Sequence, residues 1–352
     1  MWAGFAGYLA VLAAAPRLGR RLVWAAILIL LAAFAVAPVL LSHDVYSYVD
    51  YARLGVRHGL DPYVHPPLAA PADPAYAEVT WTEATSAYGP LFTLLTYPLA
   101  WLPVGLAVAV LKATAALSVL GIAITVSRLA AGRGADPLRA AAFVALNPLV
   151  LVHVVGGAHN DGLTMLLATL SVAALLSARE KAGGGALVAA IATKASAAFL
   201  VPFALLGAEK RGRFLAGAAS AALLVAAAAW LAFGWDWLDG FGLASENQSR
   251  TSFMSIPITT ARLTGLDAGA VRIGATVLFG LAVAYLLAWT WRGGDWVRAA
   301  AWCALALLLA TSWLLPWYLI WALPLVAISR DRPLQLLTLA LTAYQLGARI
   351  PL

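Results

Sequence analysis

The sequence predicts an all-α, polytopic membrane protein with about 11–13 membrane-embedded helices. Of its 352 residues, 63% are hydrophobic and only 11% are charged. A water-soluble domain has roughly 25% charged residues, most of which cover its surface. Many apolar runs also approach the ~20 residues that a helix needs to cross a bilayer. The runs are 22–41, 105–129, 138–155, 162–178, 214–234 and 268–291, with shorter ones at 297–314, 316–329 and 333–349. We expect one membrane domain over residues 1–352.

The charged residues predict which side of the membrane each loop occupies. Lys and Arg in short loops mark the cytoplasmic side. Fifteen of the 23 basic residues lie in 16–21, 128–139, 179–181, 208–213, 292–298 and 330–332. The same topology puts 11 of the 16 acidic residues and all five histidines on the opposite side. The net charge of +7 is therefore mostly a topology signal, and we expect no nucleic-acid partner.

The predicted outer face consists of three polar insertions, 42–104, 156–162 and 235–267. In the first, residues 45–57 have the apolar spacing of an amphipathic helix, which ends at Gly59. Residues 89–103 are apolar but contain three prolines. Counting them as a span would place the basic loop 128–139 outside, so we predict an interfacial or re-entrant helix.

Lys194 interrupts the apolar stretch 184–207. A straight helix there would place the basic segment 209–213 outside, against the charge rule. Two half-helices that meet at Lys194 keep that segment inside and direct the lysine toward the outer face. An ionisable residue in such a stretch is a functional-site hypothesis by default, here as a cation for a phosphate. The alternative is a lysine that extends to the lipid headgroups.

Asp44 follows the first predicted span and opens the first outer insertion. One interpretation is a helix N-cap, a position that Ser, His or Asp side chains at 42–44 suit. The other is a general base, because partial desolvation at a membrane boundary raises the pKa of a carboxyl group. His43 and Tyr48 lie beside Asp44 along the predicted helix, so we expect them in the same substrate site.

A second polar cluster is His159-Asn160-Asp161, which follows His153 and two glycines. It is either a polar turn in which Asp161 caps the next helix, or part of a ligand site that the glycines let the backbone approach. In the third insertion, Arg250 and Arg262 are candidates for binding a phosphate or lipid headgroups.

Two further patterns carry less information. Trp313, Trp317 and Trp321 recur every four residues, which is typical of an interfacial aromatic belt, with a sugar-stacking platform as the alternative. The histidines and carboxylates lack metal-ligand spacing, so we expect no metal or other cofactor. The lone Cys303 excludes an intrachain disulfide.

Several strings together resemble a known group of enzymes. They are DVYSYVDYARLGVRHGLDPY at 44–63, YGPLF at 88–92, NPLVLVHVVGGAHNDGL at 147–163, TKASAAFLVPF at 193–203 and LLPWYLIWALPL at 314–325. Their order and spacing resemble the GT-C glycosyltransferases, and specifically the actinobacterial polyprenol-phosphomannose-dependent α-mannosyltransferases. The resemblance implies that Asp44 is the catalytic base. It also implies that His159, Asn160 and Asp161 line the site and that Lys194 faces the donor phosphate.

The function expected from this resemblance is transfer of mannose from a polyprenyl-phosphate donor, with inversion, to a hydroxyl of a glycan or glycolipid. We expect the reaction on the outer face of a bacterial plasma membrane, among membrane lipids. Another lipid-linked sugar, such as arabinofuranose, and a protein acceptor stay open. A transporter would predict ionisable groups near mid-membrane and internal repeats. A non-catalytic scaffold would leave the convergence of Asp44, His159 and Lys194 unexplained.

Overall fold

The computed structural model describes residues 1–246 and 249–347, which are largely helical and contain no β-strand. These residues form sixteen α-helices. They are α1 (Trp2–Ala14), α2 (Arg20–Val36), α3 (Asp44–His58), α4 (Pro90–Thr96), α5 (Val104–Gly132), α6 (Pro137–Ala145), α7 (Asp161–Leu176), α8 (Glu180–Thr193), α9 (Val201–Gly207), α10 (Arg211–Phe233), α11 (Asp239–Glu246), α12 (Ile256–Thr264), α13 (Ala268–Trp291), α14 (Trp296–Ala310), α15 (Leu323–Ile328) and α16 (Arg332–Gly347). Short 3₁₀ segments include Tyr97–Trp101, Ala195–Leu200 and Pro316–Trp321, and Val150–Val155 is π-helical.

Three of the described helices, α5, α10 and α13, are long and apolar enough to cross a bilayer. Helices α10 and α13 expose most of their apolar side chains, for example Leu223, Leu224 and Leu278. A helix that is apolar on its exposed face is stable in lipid, where its backbone hydrogen bonds are all internal. The prediction of an all-α polytopic membrane protein is confirmed.

Two predicted spans are broken in the structure. The run 138–155 divides into α6 and the π-helical segment, because Pro148 has no N–H with which to continue α6. The carbonyl oxygen of the Asn147 side chain accepts from the Leu149 N–H at 3.0 Å and starts the second piece. The run 316–329 likewise divides into a 3₁₀ segment and α15. The run 333–349 falls in α16, and its last two residues lie outside the described ones.

The chain reverses direction at Lys194, as predicted from its position in the apolar stretch. Lys194 has an extended backbone (φ −158°, ψ 128°) between α8 and the 3₁₀ segment that precedes α9. Gly184 near the start of α8 packs closely on the backbone at Phe214, near the start of α10. Gly207 at the end of α9 packs on the indole of Trp296 at the start of α14. The two half-helices therefore form a hairpin that returns to the end of the bundle where it began.

Three of the predicted basic loops meet at that end, which we call the basic end. Arg133 pairs with Asp295, and Arg298 Nε lies 2.6 Å from the carboxylate of Asp331. Arg330 donates to the carbonyl of Arg133 at 3.0 Å. The opposite end of the bundle, which holds Asp44 and Lys194, is called the Asp44 end below.

Helix α3 lies within the first insertion and ends at Gly59, which has the left-handed backbone (φ 66°) that favours glycine. Its apolar stripe is buried as predicted, but its polar side is covered as well. Arg53 is buried and donates to Asp73 at 2.7 Å and to the carbonyl of Ala100 at 3.1 Å. These bonds hold the rest of the insertion over α3, so the helix is enclosed by its own loop.

The hairpin predicts which loops share a side of the membrane. In a Cys303→Ala background, Lys210→Cys and Arg332→Cys are expected to react with a membrane-impermeant maleimide only after the cells are permeabilised. Glu78→Cys, which belongs to the Asp44 end, is expected to react in intact cells. All three positions are exposed in the structure. Labelling of Lys210→Cys together with Glu78→Cys in intact cells would contradict the hairpin and favour a straight span.

Candidate active site

A cavity of about 970 Å³ opens at the Asp44 end. The first and third polar insertions and the hairpin contribute to its walls. One part is polar and is lined by His43, Asp44, Trp81, Lys194 and Arg250. The other part is apolar and is lined by Phe199, Pro202, Phe279, Val283, Cys303 and Leu307, which lie on the hairpin, α13 and α14. The cavity therefore joins a charged region to a hydrocarbon-like one.

Asp44 is the first residue of α3, and its side chain lines the cavity instead of capping the helix. The N-cap residue is His43, and it makes no side-chain capping bond. One carboxylate oxygen of Asp44, Oδ1, accepts a hydrogen bond from Trp81 Nε1 at 3.2 Å. The other, Oδ2, lies 3.7 Å from Nδ1 of His159. The carboxylate is 18% exposed, so it is partly desolvated yet accessible.

The link between α2 and α3 is held in place by a buried lysine. Lys112, on α5, donates to the carbonyl of Ala37 and, at 3.0 Å, to that of Pro38. The Leu40 N–H then donates to the carbonyl of Gly156 at 3.2 Å. A Cβ at Gly156 would collide with the backbone carbonyl of Val152 and would also meet the side chain of Leu40, so this glycine permits close packing of the chain. Sequence reasoning missed Lys112, although an ionisable residue inside an apolar run was the available signal.

Asp161 binds two residues from distant parts of the chain. Its side chain is fully buried, and its Oδ2 accepts from Lys194 Nζ at 2.7 Å. Its Oδ1 accepts from Trp321 Nε1 at 2.7 Å. The Lys194 ammonium also lies 5.4 Å from the ring centre of Tyr318, in cation–π range. Lys194 therefore points into the protein and not toward headgroups, and Asp161 is an ion-pair partner instead of a helix cap.

His159 and Asn160 lie behind the residues that line the cavity. Both are buried, and His159 stacks on Trp317 with ring centres 3.7 Å apart. Burial lowers the pKa of the His159 imidazole well below its usual value, and the charge of Lys194 and the nearby His153 lower it further. The imidazole is therefore neutral beside Asp44 at physiological pH.

The environment of Asp44 suits a proton acceptor. Burial raises the pKa of its carboxyl above the ordinary value for aspartate. The hydrogen bond from Trp81 and the positive charge of Lys194 oppose that rise, whereas the charge of Asp161 adds to it. A carboxylate with a raised pKa is a stronger base than an exposed one.

The remaining predicted site residues are distributed unevenly. His43 lines the cavity, and its Nδ1 lies 3.1 Å from the carbonyl oxygen of Glu78. Tyr48 is buried behind the cavity, where its ring packs edge-on against Tyr88 and Phe92.

The two arginines of the third insertion separate. The guanidinium of Arg250 lines the cavity beside the indoles of Trp81 and Trp313, 5.1 and 5.0 Å from their centres. Arg262 instead lies 3.7 Å over the ring of Phe253 and does not line the cavity. The structure therefore places one predicted phosphate ligand at the site and not the other.

The three regularly spaced tryptophans do not form an interfacial belt. Trp313 lies against Trp81, Trp317 stacks on His159, and Trp321 donates to Asp161. The 3₁₀ segment that begins at Pro316 carries two of them across the end of the bundle. All three rings line the cavity.

Fold and site together define a class: a helical membrane protein whose cavity presents the Asp44 carboxylate and the Lys194 ammonium next to an apolar compartment. Residues 1–210 match the family model described as "Alpha-(1->6)-mannopyranosyltransferase, N-terminal domain". That match covers more than half of the chain, and the protein belongs to this family.

Two relatives carry the same name, "Alpha-(1->6)-mannopyranosyltransferase A". The one from Mycobacterium tuberculosis is 32% identical over an aligned length of 336 residues, and the match covers 83% of this chain and 63% of the relative. The one from Corynebacterium glutamicum is 31% identical over an aligned length of 172 residues, and the match covers 47% of this chain and 35% of the relative. The chain thus spans less than two thirds of the length of these relatives.

The Asp161–Lys194 pair gives a prediction about stability. Lys194→Met leaves the buried carboxylate without its cation, and we expect the free energy of unfolding in detergent to fall by up to about 3 kcal/mol. The double variant Lys194→Met/Asp161→Asn removes both charges and is expected to recover most of that loss.

Thermal unfolding of the purified variants measures the difference. Glu78→Gln, at an exposed contact with His43, serves as the control and is expected to change stability by less than about 0.5 kcal/mol. A double variant less stable than Lys194→Met would contradict the pairing.

Proposed function

We propose that this protein transfers a mannosyl unit from a polyprenyl-phosphate carrier to a hydroxyl group of a glycan or glycolipid. The observation that carries the proposal is that Asp44 and Lys194 line one cavity whose other part is apolar. A transferase with a lipid-borne donor needs a base for the acceptor, a cation for the phosphate and a compartment for the hydrocarbon. The family match and the names of the relatives support mannose as the sugar.

The apolar part of the cavity suits the donor lipid. Phe199 of the hairpin, Phe279 of α13 and Leu307 of α14 line it. Helix α13 exposes large apolar side chains on its other side, as a lipid-facing helix does. A polyprenyl chain in this compartment would bring its phosphate to the polar part, where Lys194 has N–H groups beyond the one that Asp161 accepts.

The proposed reaction is a single displacement at the anomeric carbon of the sugar. The acceptor oxygen forms a bond to that carbon while the bond from the carbon to the phosphate oxygen breaks. The electron pair of the broken bond leaves with the phosphate, and the acceptor proton goes to Asp44. Attack opposite the leaving group inverts the configuration. A phosphate is already a good leaving group, so one base is enough and the proposal includes no metal or nucleotide.

The charges in the site assign different roles to its two carboxylates. Asp161 is bound at 2.7 Å by Lys194, which neutralises it. Asp44 has a neutral imidazole and an indole N–H as neighbours, so it keeps its basicity. The ammonium group of Lys194 stabilises the negative charge that develops on the departing phosphate.

The linkage and the location are part of the proposal. The relatives are named for an α-(1→6) linkage, and we infer the same linkage for the product of this chain. The basic loops meet at the end of the bundle opposite the cavity. Because such loops face the cytoplasm, the cavity would open on the outer face of the plasma membrane.

The role of Asp44 is tested by its amide. Asp44→Asn is expected to lower mannosyl transfer by about 10²-fold or more, because general-base catalysis of this kind contributes 10²–10⁴-fold. The assay uses purified protein, a soluble oligomannoside acceptor and a panel of polyprenyl-phosphate sugars that includes mannose and arabinofuranose. Glu78→Gln, an exposed carboxylate outside the cavity, is the control and is expected to retain activity. Near-normal transfer by folded Asp44→Asn would refute the proposed base, and transfer of arabinose alone would refute the sugar.

The raised pKa of Asp44 predicts the pH dependence. A general base must be deprotonated, so the rate is expected to fall as the pH drops through the pKa of Asp44, above the ordinary value of about 3.9. This fall of the rate at low pH is called the acid limb of the pH–rate profile. Asp50 is a second group whose protonation could produce it, because burial and the charge of Asp73 raise the pKa of Asp50 to about 7 against the effects of His58 and Arg53. The Asp50→Asn variant separates the two, and loss of the acid limb in it would contradict the assignment to Asp44.

A further inference from the structure

The guanidinium of Arg250 contacts two indoles that come from different parts of the chain. It is 5.1 Å from the ring of Trp81 and 5.0 Å from that of Trp313, and the two rings are 6.4 Å apart. No hydrogen bond or ion pair joins Arg250 to any other residue that the structure describes. Its contacts there are with the two rings, each within the range of a cation–π interaction.

The segment that carries Arg250 is fixed to the loop that carries Trp313. The Ser252 N–H donates to the carbonyl of Ser312 at 2.8 Å, and the Leu314 N–H donates to Ser252 Oγ at 3.1 Å. Arg272 on α13 donates to the carbonyl of Ser249 at 2.9 Å and to Ser312 Oγ at 3.0 Å. Arg250 and Trp313 thus belong to one hydrogen-bonded unit, against which Trp81 rests.

Trp81 is the side chain that connects this unit to the catalytic carboxylate. Its ring contacts Arg250 and Trp313, and its Nε1–H donates to Oδ1 of Asp44 at 3.2 Å. Its loop is tied to α3, because Tyr51 Oη donates to the carbonyl of Ala84 at 2.8 Å. A ring that contacts a cation and belongs to a loop tied to α3 presents its N–H in a defined direction.

We propose that Trp81 is a positioning residue for Asp44, and that Arg250 holds Trp81 against Trp313. The inference rests on the proposed role of Asp44 as the base. With Oδ1 occupied by the indole N–H, Oδ2 is the oxygen that takes the acceptor proton, and the carboxylate does not rotate. Arg250 then acts through Trp81 and not as a phosphate ligand.

A specific readout separates positioning from a structural role. The indole N–H stabilises the ionised form of Asp44, so its loss raises the pKa of that carboxyl. The other titratable groups around the carboxylate stay in place: His43, Glu78, His159, Asp161, Lys194 and Arg250. The nearby phenols, Tyr48, Tyr51, Tyr88 and Tyr318, stay neutral at the pH of the assay. A shift of the acid limb therefore reports the bond from Trp81.

The test compares two tryptophans that both donate to an aspartate. Trp81→Phe keeps the ring and removes the donor, and we expect the acid limb of transfer to move up by about half to one pH unit. Trp302→Phe is the matched control, since Trp302 Nε1 donates to Asp331 at 2.9 Å at the basic end. The Trp302→Phe variant is expected to leave the pH of the acid limb unchanged. An unshifted limb in folded Trp81→Phe overturns the inference.

Arg250→Met tests the same inference while the Trp81 indole is kept. This variant also provides a test if Trp81→Phe does not fold. It is expected to move the limb in the same direction by a smaller amount. The double variant with Trp81→Phe is expected to shift no further than Trp81→Phe alone. A higher KM for the donor with an unshifted limb would make Arg250 a phosphate ligand and overturn its proposed role. The outcome for Asp44→Asn is separate: if that variant is inactive while Trp81→Phe is unshifted, only the positioning role fails.

Discussion

The buried carboxylate of Asp161 is the contact on which the arrangement of the site depends. A charge at this depth is very unfavourable unless it is paired and hydrogen-bonded. Lys194 and Trp321 supply those partners, each at 2.7 Å. The pair holds the apex of the α8–α9 hairpin and the Pro316–Trp321 segment against the start of α7. As a result, the lysine reaches the same cavity as Asp44, and the hairpin forms one wall of the apolar compartment.

Two aspartates at one end of the bundle have been given different properties by their surroundings. Asp161 has a lysine as its direct partner, whereas Asp44 has an indole donor and a neutral histidine. The first therefore serves as a fixed counter-charge that orients Lys194, and the second keeps its capacity to accept a proton. The partners that make this difference, Trp81, His159 and Lys194, come from the first two polar insertions and from the hairpin.

The sequence predicted the parts of this fold that follow from the cost of placing charge in hydrocarbon. That cost located the apolar spans. The rule that basic loops face the cytoplasm predicted the reversal at Lys194. It did not identify Trp81, because the partner of a tryptophan in a loop is decided by packing between segments far apart in sequence. The spacing of Trp313, Trp317 and Trp321 has the same pattern whether the rings face lipid or a cavity, so periodicity alone could not decide between an interfacial belt and a platform that lines the site. Pro148 was a local signal for the break in the run 138–155.

The account is tested most directly by a structure of the protein with a non-transferable donor analogue, a mannosyl group joined to a polyprenyl phosphonate. The phosphonate is expected within hydrogen-bonding distance of Lys194 Nζ, with the hydrocarbon chain between α13, α14 and the hairpin. The anomeric carbon should face the cavity on the side of Asp44, with room for an acceptor between them. A phosphonate bound away from Lys194, or a sugar remote from Asp44, would contradict the central claim.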